Sequence, residues 1–435
     1  MLLSPSQLMG KRIYYGYWIV LAGLITQFIA IGMSNYVAGA FMVPMNDEFG
    51  WTRAEFSASR SIGQLMVAFT GFMIGAWIDR WGGRPFIFAG ALLMSATLYG
   101  LSLVQTLPQW LLLNGVILTA GSAMIGSLVI SVSLGKWFVE RRGWAVSLAA
   151  MGISLAGIVI QPVATFLVDN FGWRESWRIL SLITLCLTLP MAAIVRRRPE
   201  DHGMFPDGKT EKELEQGHGA AAHADFARSM TRAQAMRTSE FYVLVVAFGL
   251  FQISITVMLL QTIPLMTDAG YSRLVAAGMV PLASLPALFS KPFWGMLIDR
   301  FQPMLLTATG AVVTGLSVIF IVFAIANRMD VLVYAGFLIM GVGWGGMLPL
   351  QEVIWASFFG RRYLGSVRSM ALPFSFGLSA VGPVLVALYY DIAGDYDLAL
   401  IAMGLCNLAS AFLLVRLQNE TADAAGEGFP PATAD

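Results

Sequence analysis

Two ionisable residues stand inside apolar stretches where charge is costly, and they bound the chemistry open to this chain. Lys291 lies eight residues before Asp299 at the end of its apolar run, hence about 12 Å into a helix rising 1.5 Å per residue. An ammonium at such depth in hydrocarbon costs about 2.5–3.5 kcal/mol on insertion scales. It shares a helix face with Ser284, Ala287 and Gly295, all small, while Phe289 and Phe293 point elsewhere. A lone cation on a small-residue face suits a water-filled cavity in which an organic anion is the counter-ion. A structural partner such as Glu352, or an uncharged amine, are the other readings. Glu352 lies seven residues before Phe359, about 10 Å from its helix end. It is a candidate proton-coupling group, or an ionic lock to Arg361, Arg362 or an inner loop.

Neutral polar residues accompany these two. Gln27, Asn35, Gln64, Asn114, Ser127, Gln161, Gln252 and Gln261 fall within apolar runs, where they line a cavity or bond helix to helix. Trp344, among Gly341, Gly343, Gly345 and Gly346, is a cavity wall or a space filler. Arg60 sits near the start of a run. Snorkelling to lipid headgroups accounts for it, and a funnel for anions is the minority reading. His202, His218 and His223 share one polar segment at spacings that match no common metal pattern. No metal or other cofactor is expected.

The elements that hold these residues must be membrane helices. The chain has 435 residues, 57% hydrophobic and 12% charged, with mean hydropathy +0.70. Soluble domains are about 25% charged. Some twelve apolar runs, centred near residues 29, 67, 95, 121, 156, 185, 253, 286, 315, 344, 379 and 406, are each long enough to span hydrocarbon at about 20 residues apiece. Alternation of period two is absent, which excludes barrel strands. With the amino terminus inside, basic residues collect on the inner loops (Lys11, Arg12, Arg80, Arg84, Lys136, Arg141, Arg142, Arg196, Arg197, Arg198, Arg300, Arg361, Arg362, Arg368, Arg416). Only Arg53, Arg174, Arg178, Arg273 and Arg328 are left outside. Both termini are therefore expected in the cytoplasm. The first run continues as a full span, so a cleaved signal peptide is not expected. Cys186 and Cys406 fall within spans and read as packing residues. A net charge of +1 argues against a nucleic-acid partner.

The halves repeat at an offset of 220. Pro44, Gly50, Trp51, Thr52 and Arg53 return as Pro264, Gly270, Tyr271, Ser272 and Arg273; Gly75, Asp79 and Arg80 as Gly295, Asp299 and Arg300; Phe138, Arg141 and Arg142 as Phe358, Arg361 and Arg362. Duplicated bundles about a shared interface are a common plan of secondary transporters. The expected organisation is a six-helix bundle over 1–195, a cytoplasmic linker over 196–238, a second bundle over 239–418 and a disordered tail over 419–435.

Gly75-Ala-Trp-Ile-Asp79-Arg80-Trp-Gly82-Gly83-Arg84-Pro85, with its degenerate copy Gly295-Met-Leu-Ile-Asp299-Arg300, resembles the loop motif of the major facilitator superfamily. The resemblance implies an all-α membrane fold, twelve spans in two pseudo-symmetric six-helix bundles that rock about a central cavity. In that setting Asp79, Arg80, Arg84, Asp299 and Arg300, with Arg141 and Arg361, are expected to shape a cytoplasmic gate by bridging neighbouring helix ends. The bland reading of the arginines is helix anchoring.

Lys136-Trp-Phe138-Val-Glu-Arg141-Arg142, Gly172-Trp173-Arg174-Glu-Ser176, Lys291-Pro292-Phe-Trp-Gly295 and the opening Tyr15-Gly16-Tyr17-Trp18 are similar to the monocarboxylate transporter family. There the cation at the position of Lys291 binds the substrate carboxylate. The chain departs from that pattern at Ala287, Gly39 and Tyr15, where family members carry an acid, a lysine and an acid. The reading that follows is a proton-coupled carrier of a small organic carboxylate in a bacterial inner membrane, monomeric, with Lys291, Gln27, Asn35, Ser127, Gln161, Gln252, Ser284 and Trp344 about the substrate. An exporter of apolar or cationic compounds is the runner-up. A membrane sensor or scaffold acting through its central loop is the alternative of another class. No nucleophile elbow, phosphate loop or carboxylate pair suggests an enzyme.

Overall fold

The computed structural model describes residues 14–209 and 229–426, and no strand occurs among them. The first span is α1 (Gly16–Ile31), a π-turned segment (Gly32–Tyr36) and α2 (Ala38–Phe49). Next come α3 (Arg53–Trp81) and α4 (Arg84–Leu101). A composite fourth span follows: α5 (Leu107–Trp110), a second π segment (Leu111–Ile117), α6 (Leu118–Ile125) and α7 (Ser127–Trp137), broken at Gly126. α8 (Arg142–Ile194) is 53 residues long and carries two spans, because Gly172, at φ 74° and ψ 161°, interrupts it. After the short α9 (Arg232–Ala235) come α10 (Ser239–Asp268), α11 (Arg273–Ile298), α12 (Pro303–Ala326), α13 (Asp330–Phe359), α14 (Leu364–Ala393) and α15 (Asp397–Gly426). Ten helical runs are long and apolar enough to cross a membrane. α8 counts twice, and α11, with three internal prolines, completes twelve crossings.

The sequence echoes become matching local structure. Gly50 and Gly270 both adopt positive φ, 71° and 92°, which glycine tolerates without a Cβ clash. Two residues on, Thr52 caps α3 in a reciprocal capping box with Glu55, and Ser272 caps α11 by accepting from the Val275 N–H. Each echo is thus a tight turn followed by a helix start.

The halves meet along two seams, α3 on α14 and the first half of α8 on α11. On the face that gathers the basic loops the seams are tight. A Cβ on Gly75 would lie 2.5 Å from the Gly365 carbonyl, and one on Gly295 2.6 Å from that of Gly143. The apolar core crosses between halves here, with Ile74 and Ile78 in one cluster with Val367 and Ala371. Toward the opposite face the halves part. A cleft of about 840 Å³ opens between Gly157, Gln161 and Phe166 of α8 and Gly278, Pro281 and Leu285 of α11. The seams are closed on the basic face, and toward the other face the α8–α11 seam gives way to this cleft.

Two expectations about polar segments change. α15 runs to Gly426, so the tail expected from residue 419 begins as helix; 427–435 lie outside the described residues. The linker is no passive tether at its ends. The Asp207 carboxylate accepts from the Val139, Glu140 and Arg141 N–H groups at 3.1, 3.0 and 3.2 Å. At the other end the Met230 N–H donates to the Phe359 carbonyl at 3.0 Å and the Arg362 N–H to Ser229 Oγ at 3.1 Å. His218 and His223 lie outside the described residues.

Candidate functional site

Asp79 and Asp299 each reach across to the other half. Asp79, in the last turn of α3, accepts from Gly365 N–H (3.1 Å) and Lys136 Nζ (3.1 Å) at Oδ1. Its Oδ2 accepts from Ser366 N–H (2.7 Å) and Ser366 Oγ (2.9 Å). Gly365 and Ser366 open α14, so a carboxylate of one half caps a helix of the other, where the helix dipole favours negative charge. Asp299, just beyond the end of α11, caps α8 in the same way through Gly143 N–H (2.8 Å) and Trp144 N–H (3.0 Å). The copies differ in their side-chain partners, for Asp79 also accepts from the Ser366 hydroxyl and from a lysine. Lys136 is buried beside Asp79, whereas the position 220 residues later is Ala356. Burial pushes the Asp299 carboxyl up to about 6, against the lowering effect of its two backbone bonds.

The arginines of the loop motif do something else. Arg80, Arg84 and Arg300 are exposed, and their side chains make no ion pair or hydrogen bond among the described residues. The expected bridging is done by the aspartates, whose short side chains reach the helix starts directly. Of the Arg141-Arg142 pair, Arg141 is exposed and engages the linker through its backbone N–H. Arg142 instead turns inward to the Phe138 and Gly135 carbonyls closing α7. Arg361 is buried and ties both halves to the linker, donating to the Lys136 carbonyl at 3.1 Å and to Glu200 Oε1 at 2.9 Å.

Lys291 is 4% exposed in the α8–α11 seam. Its Nζ donates to Ser154 Oγ of α8 and, at 3.3 Å, to the Ala287 carbonyl one turn back. Those two bonds leave one of the three ammonium donors, and no carboxylate lies within ion-pair distance among the described residues. The side chain does not face open solvent, as the small-residue face suggested. Ser154 lies three and four residues inward of Gly157 and Ile158, which line the cleft, so the ammonium sits about one helical turn beneath the cleft floor.

Glu352 does not serve Lys291. Its Oε1 accepts from Arg368 Nε of α14 at 3.2 Å, both side chains are buried, and the guanidinium lies 5.6 Å from the Trp355 ring centre. The lock is therefore to Arg368 and not to Arg361 or Arg362, which the linker and its neighbours hold. Glu352 Oε2 and Arg368 Nη1 have no hydrogen-bond partner among the described residues.

The remaining candidates scatter. Gln161 is exposed and lines the cleft. Gln27 is buried and accepts from Ser127 Oγ at 3.2 Å, a helix-to-helix bond at the Gly126 break. Asn35 donates to Ser34 Oγ at 3.0 Å. Ser284 returns its hydroxyl to the Val280 carbonyl. Gln252 is half-buried, with no side-chain hydrogen bond among the described residues. Trp344 is half-buried between two apolar clusters, its Nε1 without a partner among the described residues. Its glycines let α11 touch α13: Gly345 abuts Ala287 and Ser290. Sequence reasoning missed Ser154, Gly365, Ser366, Glu200 and Asp207. Only the tight Pro206-Asp207-Gly208 turn carries a local signal.

Comparison with known proteins bears directly on this arrangement. The model of the Major Facilitator Superfamily matches residues 24–383. The chain belongs to that superfamily. This facilitator is therefore a multi-pass membrane transporter and not an enzyme. It is similar to the oxalate:formate antiporter of Oxalobacter formigenes, 24% identical over 83% of this chain and 80% of that one. Monocarboxylate transporter 6 of Homo sapiens is 30% identical over 44% of the facilitator but only 37% of its own length. Among solved structures the proton:xylose symporter XylE shares the fold, with TM-score 0.74, 15% identity, and coverage of 92% and 95% of the two chains.

Proposed function

We propose that this facilitator carries a small organic carboxylate by alternating access, coupled to protons, with Lys291 as the carboxylate-binding group. The observation that carries the reading is a buried ammonium held by a hydroxyl and a carbonyl with no acidic partner among the described residues. Taking an ammonium out of water costs several kcal/mol even after relaxation, and neutral acceptors return only part of that. A substrate carboxylate supplies the missing charge. Relatives named for oxalate, formate and monocarboxylates support an acidic cargo.

The basic face is assigned to the cytoplasm of a bacterial inner membrane, and the conformation is then outward-facing. Substrate enters the α8–α11 cleft and displaces Ser154 from the ammonium. Because Ser154 and Lys291 belong to different halves, that exchange weakens the seam from within while Asp79 and Asp299 still hold it from below. Glu352 Oε2, lacking a donor, is the atom assigned to take the coupling proton; neutralising it loosens Arg368 of α14. Of the other polar candidates, Gln161 meets the substrate path, and Gln27, Asn35, Ser127, Gln252, Ser284 and Trp344 shape its surroundings.

The test is uptake into proteoliposomes against a panel of mono- and dicarboxylates, with and without a pH gradient. Lys291→Ala is expected to lose uptake while folding normally, Lys291→Arg to keep part of it, and Glu352→Gln to lose gradient-driven accumulation. Wild-type uptake by Lys291→Ala would remove the site.

A further inference from the structure

We propose that Arg60, with the Tyr36 phenol, forms an outer anion-binding station in the mouth of the cleft, which collects the carboxylate before it reaches Lys291. The inference rests on the carboxylate reading above and adds a residue of the first half to a site otherwise centred on the second.

The faces of α3 decide where Arg60 looks. Leu65, Phe69 and Met73, spaced four apart, are exposed and form the lipid stripe. Ser59 and Gly63 face the fourth span: Asn114 Nδ2 donates to Ser59 Oγ at 2.9 Å, and a Cβ on Gly63 would meet the Thr119 methyl at 2.7 Å. Arg60 is on neither face. It precedes Gly71 by eleven residues and Ile78 by eighteen, three and five turns of about 3.6 residues, and Gly71 packs against Leu372 of α14. Arg60 therefore lies on the continuation of the face that meets the other half, about four turns outward of the seam glycine Gly75. Snorkelling to lipid would need the opposite side of the helix. The side chain is exposed and has no carboxylate within ion-pair distance among the described residues.

Tyr36 links this cation to the inner one. It ends the π-turned segment of the first span, a local distortion frequent at functional sites. Its phenol is within electrostatic reach of the Arg60 guanidinium. The ring lies against Gly157 of α8, 3.1 Å from where a Cβ would stand. Gly157 lines the cleft, one turn outward of Ser154 and the Lys291 ammonium. Measured from the seam glycines Gly75 and Gly295, Arg60 is fifteen residues outward and Lys291 four, a stagger of about 16 Å along the axis. One small carboxylate does not span that distance, so the stations act in succession. A cation in a low-dielectric cleft concentrates anions and raises their on-rate.

The test needs no knowledge of the substrate. In a chain with Cys186 and Cys406 replaced by alanine, Gln161→Cys places a thiol in the cleft. It is then treated with sulfonatoethyl methanethiosulfonate, an anion, or trimethylammonioethyl methanethiosulfonate, a cation. The anion-to-cation rate ratio, normalised to a free thiol, is expected to fall about tenfold on Arg60→Gln, the low end of focusing effects. It is expected to survive Arg60→Lys and to fall likewise in 0.5 M salt, where the screening length shortens to a few ångströms (about 3 Å at 1 M). An unchanged ratio in Arg60→Gln overturns the station. Lys291→Ala transport is a separate measurement: loss there with an unchanged ratio here sinks this inference alone, and the converse sinks the Lys291 site.

Discussion

Removing the Asp79 carboxylate should open the basic face, by an amount the geometry sets. Three of its four hydrogen bonds cross between halves, to Gly365 N–H, Ser366 N–H and Ser366 Oγ; the fourth, to Lys136, stays within one half. At a floor of about 1 kcal/mol net apiece, below the range of about 1.5–3 kcal/mol for bonds to charged groups, Asp79→Ala costs the closed form at least about 3 kcal/mol. That is about a hundredfold in the closed-to-open ratio at 1.4 kcal/mol per decade. A minor open form near 1%, within the usual range for such equilibria, would then become about half the population. The reporter is Ser147→Cys without Cys186 and Cys406. Ser147 is fully buried and sits against Gly295 on the other seam, so a membrane-impermeant maleimide reaches it from the basic face only on opening. The labelling rate should rise at least tenfold. Asp79→Ala also strands a buried lysine, a cost of the fold in both conformations, so Asp79→Ala/Lys136→Met is measured beside it. If that double variant is stable and labels within twofold of the parent, Asp79 does not hold the seam.

Three further outcomes follow from the same contacts. Glu352→Gln should lower apparent stability in detergent by about 3–5 kcal/mol because it leaves Arg368 buried without its charge partner, while Glu352→Leu/Arg368→Met should recover most of the loss; thermal unfolding of the three proteins decides. The Asp299 carboxyl sits at about 6 when closed, raised first by burial, and near the usual value of about 3.9 when solvated, so the closed form binds the proton more tightly. Closure is then favoured below that window and the advantage is lost as pH rises through about 6; Ser147→Cys labelling, normalised to a free thiol, should slow between pH 6 and 4, and a slowing that persists in Asp299→Asn refutes the assignment. Shortening the linker by six residues within 210–228 should leave uptake unchanged, whereas Asp207→Ala, which frees three N–H groups of the 139–141 loop, should speed proteolysis of the linker. Equal protease sensitivity of the two variants would leave Asp207 without a docking role.

The parts legible in the sequence are those whose physics is local or repetitive. Apolar length and low charge reveal the spans, and the offset of 220 residues marks Asp79 and Asp299. The cost of burying an ammonium singles out Lys291. What the carboxylates bind is not legible, because Gly365, Ser366, Gly143 and Trp144 offer backbone N–H groups that any residue type presents. Arg80 and Arg84 mislead for a related reason: adjacency in the chain says nothing of direction, and they turn outward where Asp79 turns in. Ser154 is one serine among many until α8 and α11 are brought together. The π segments and the Gly126 break leave composition unchanged and are equally silent.

The unequal surroundings of Asp79 and Asp299 have a mechanical consequence. When the halves separate, the first carboxylate withdraws with Lys136 still at its side, already neutralised; the second enters water alone, with Ala356 where its companion would be. Two hinges cast from one mould no longer release at the same cost. The door is therefore expected to swing from one edge before the other, so that passage through this carrier is a shear with a preferred leading side and not a balanced rocking.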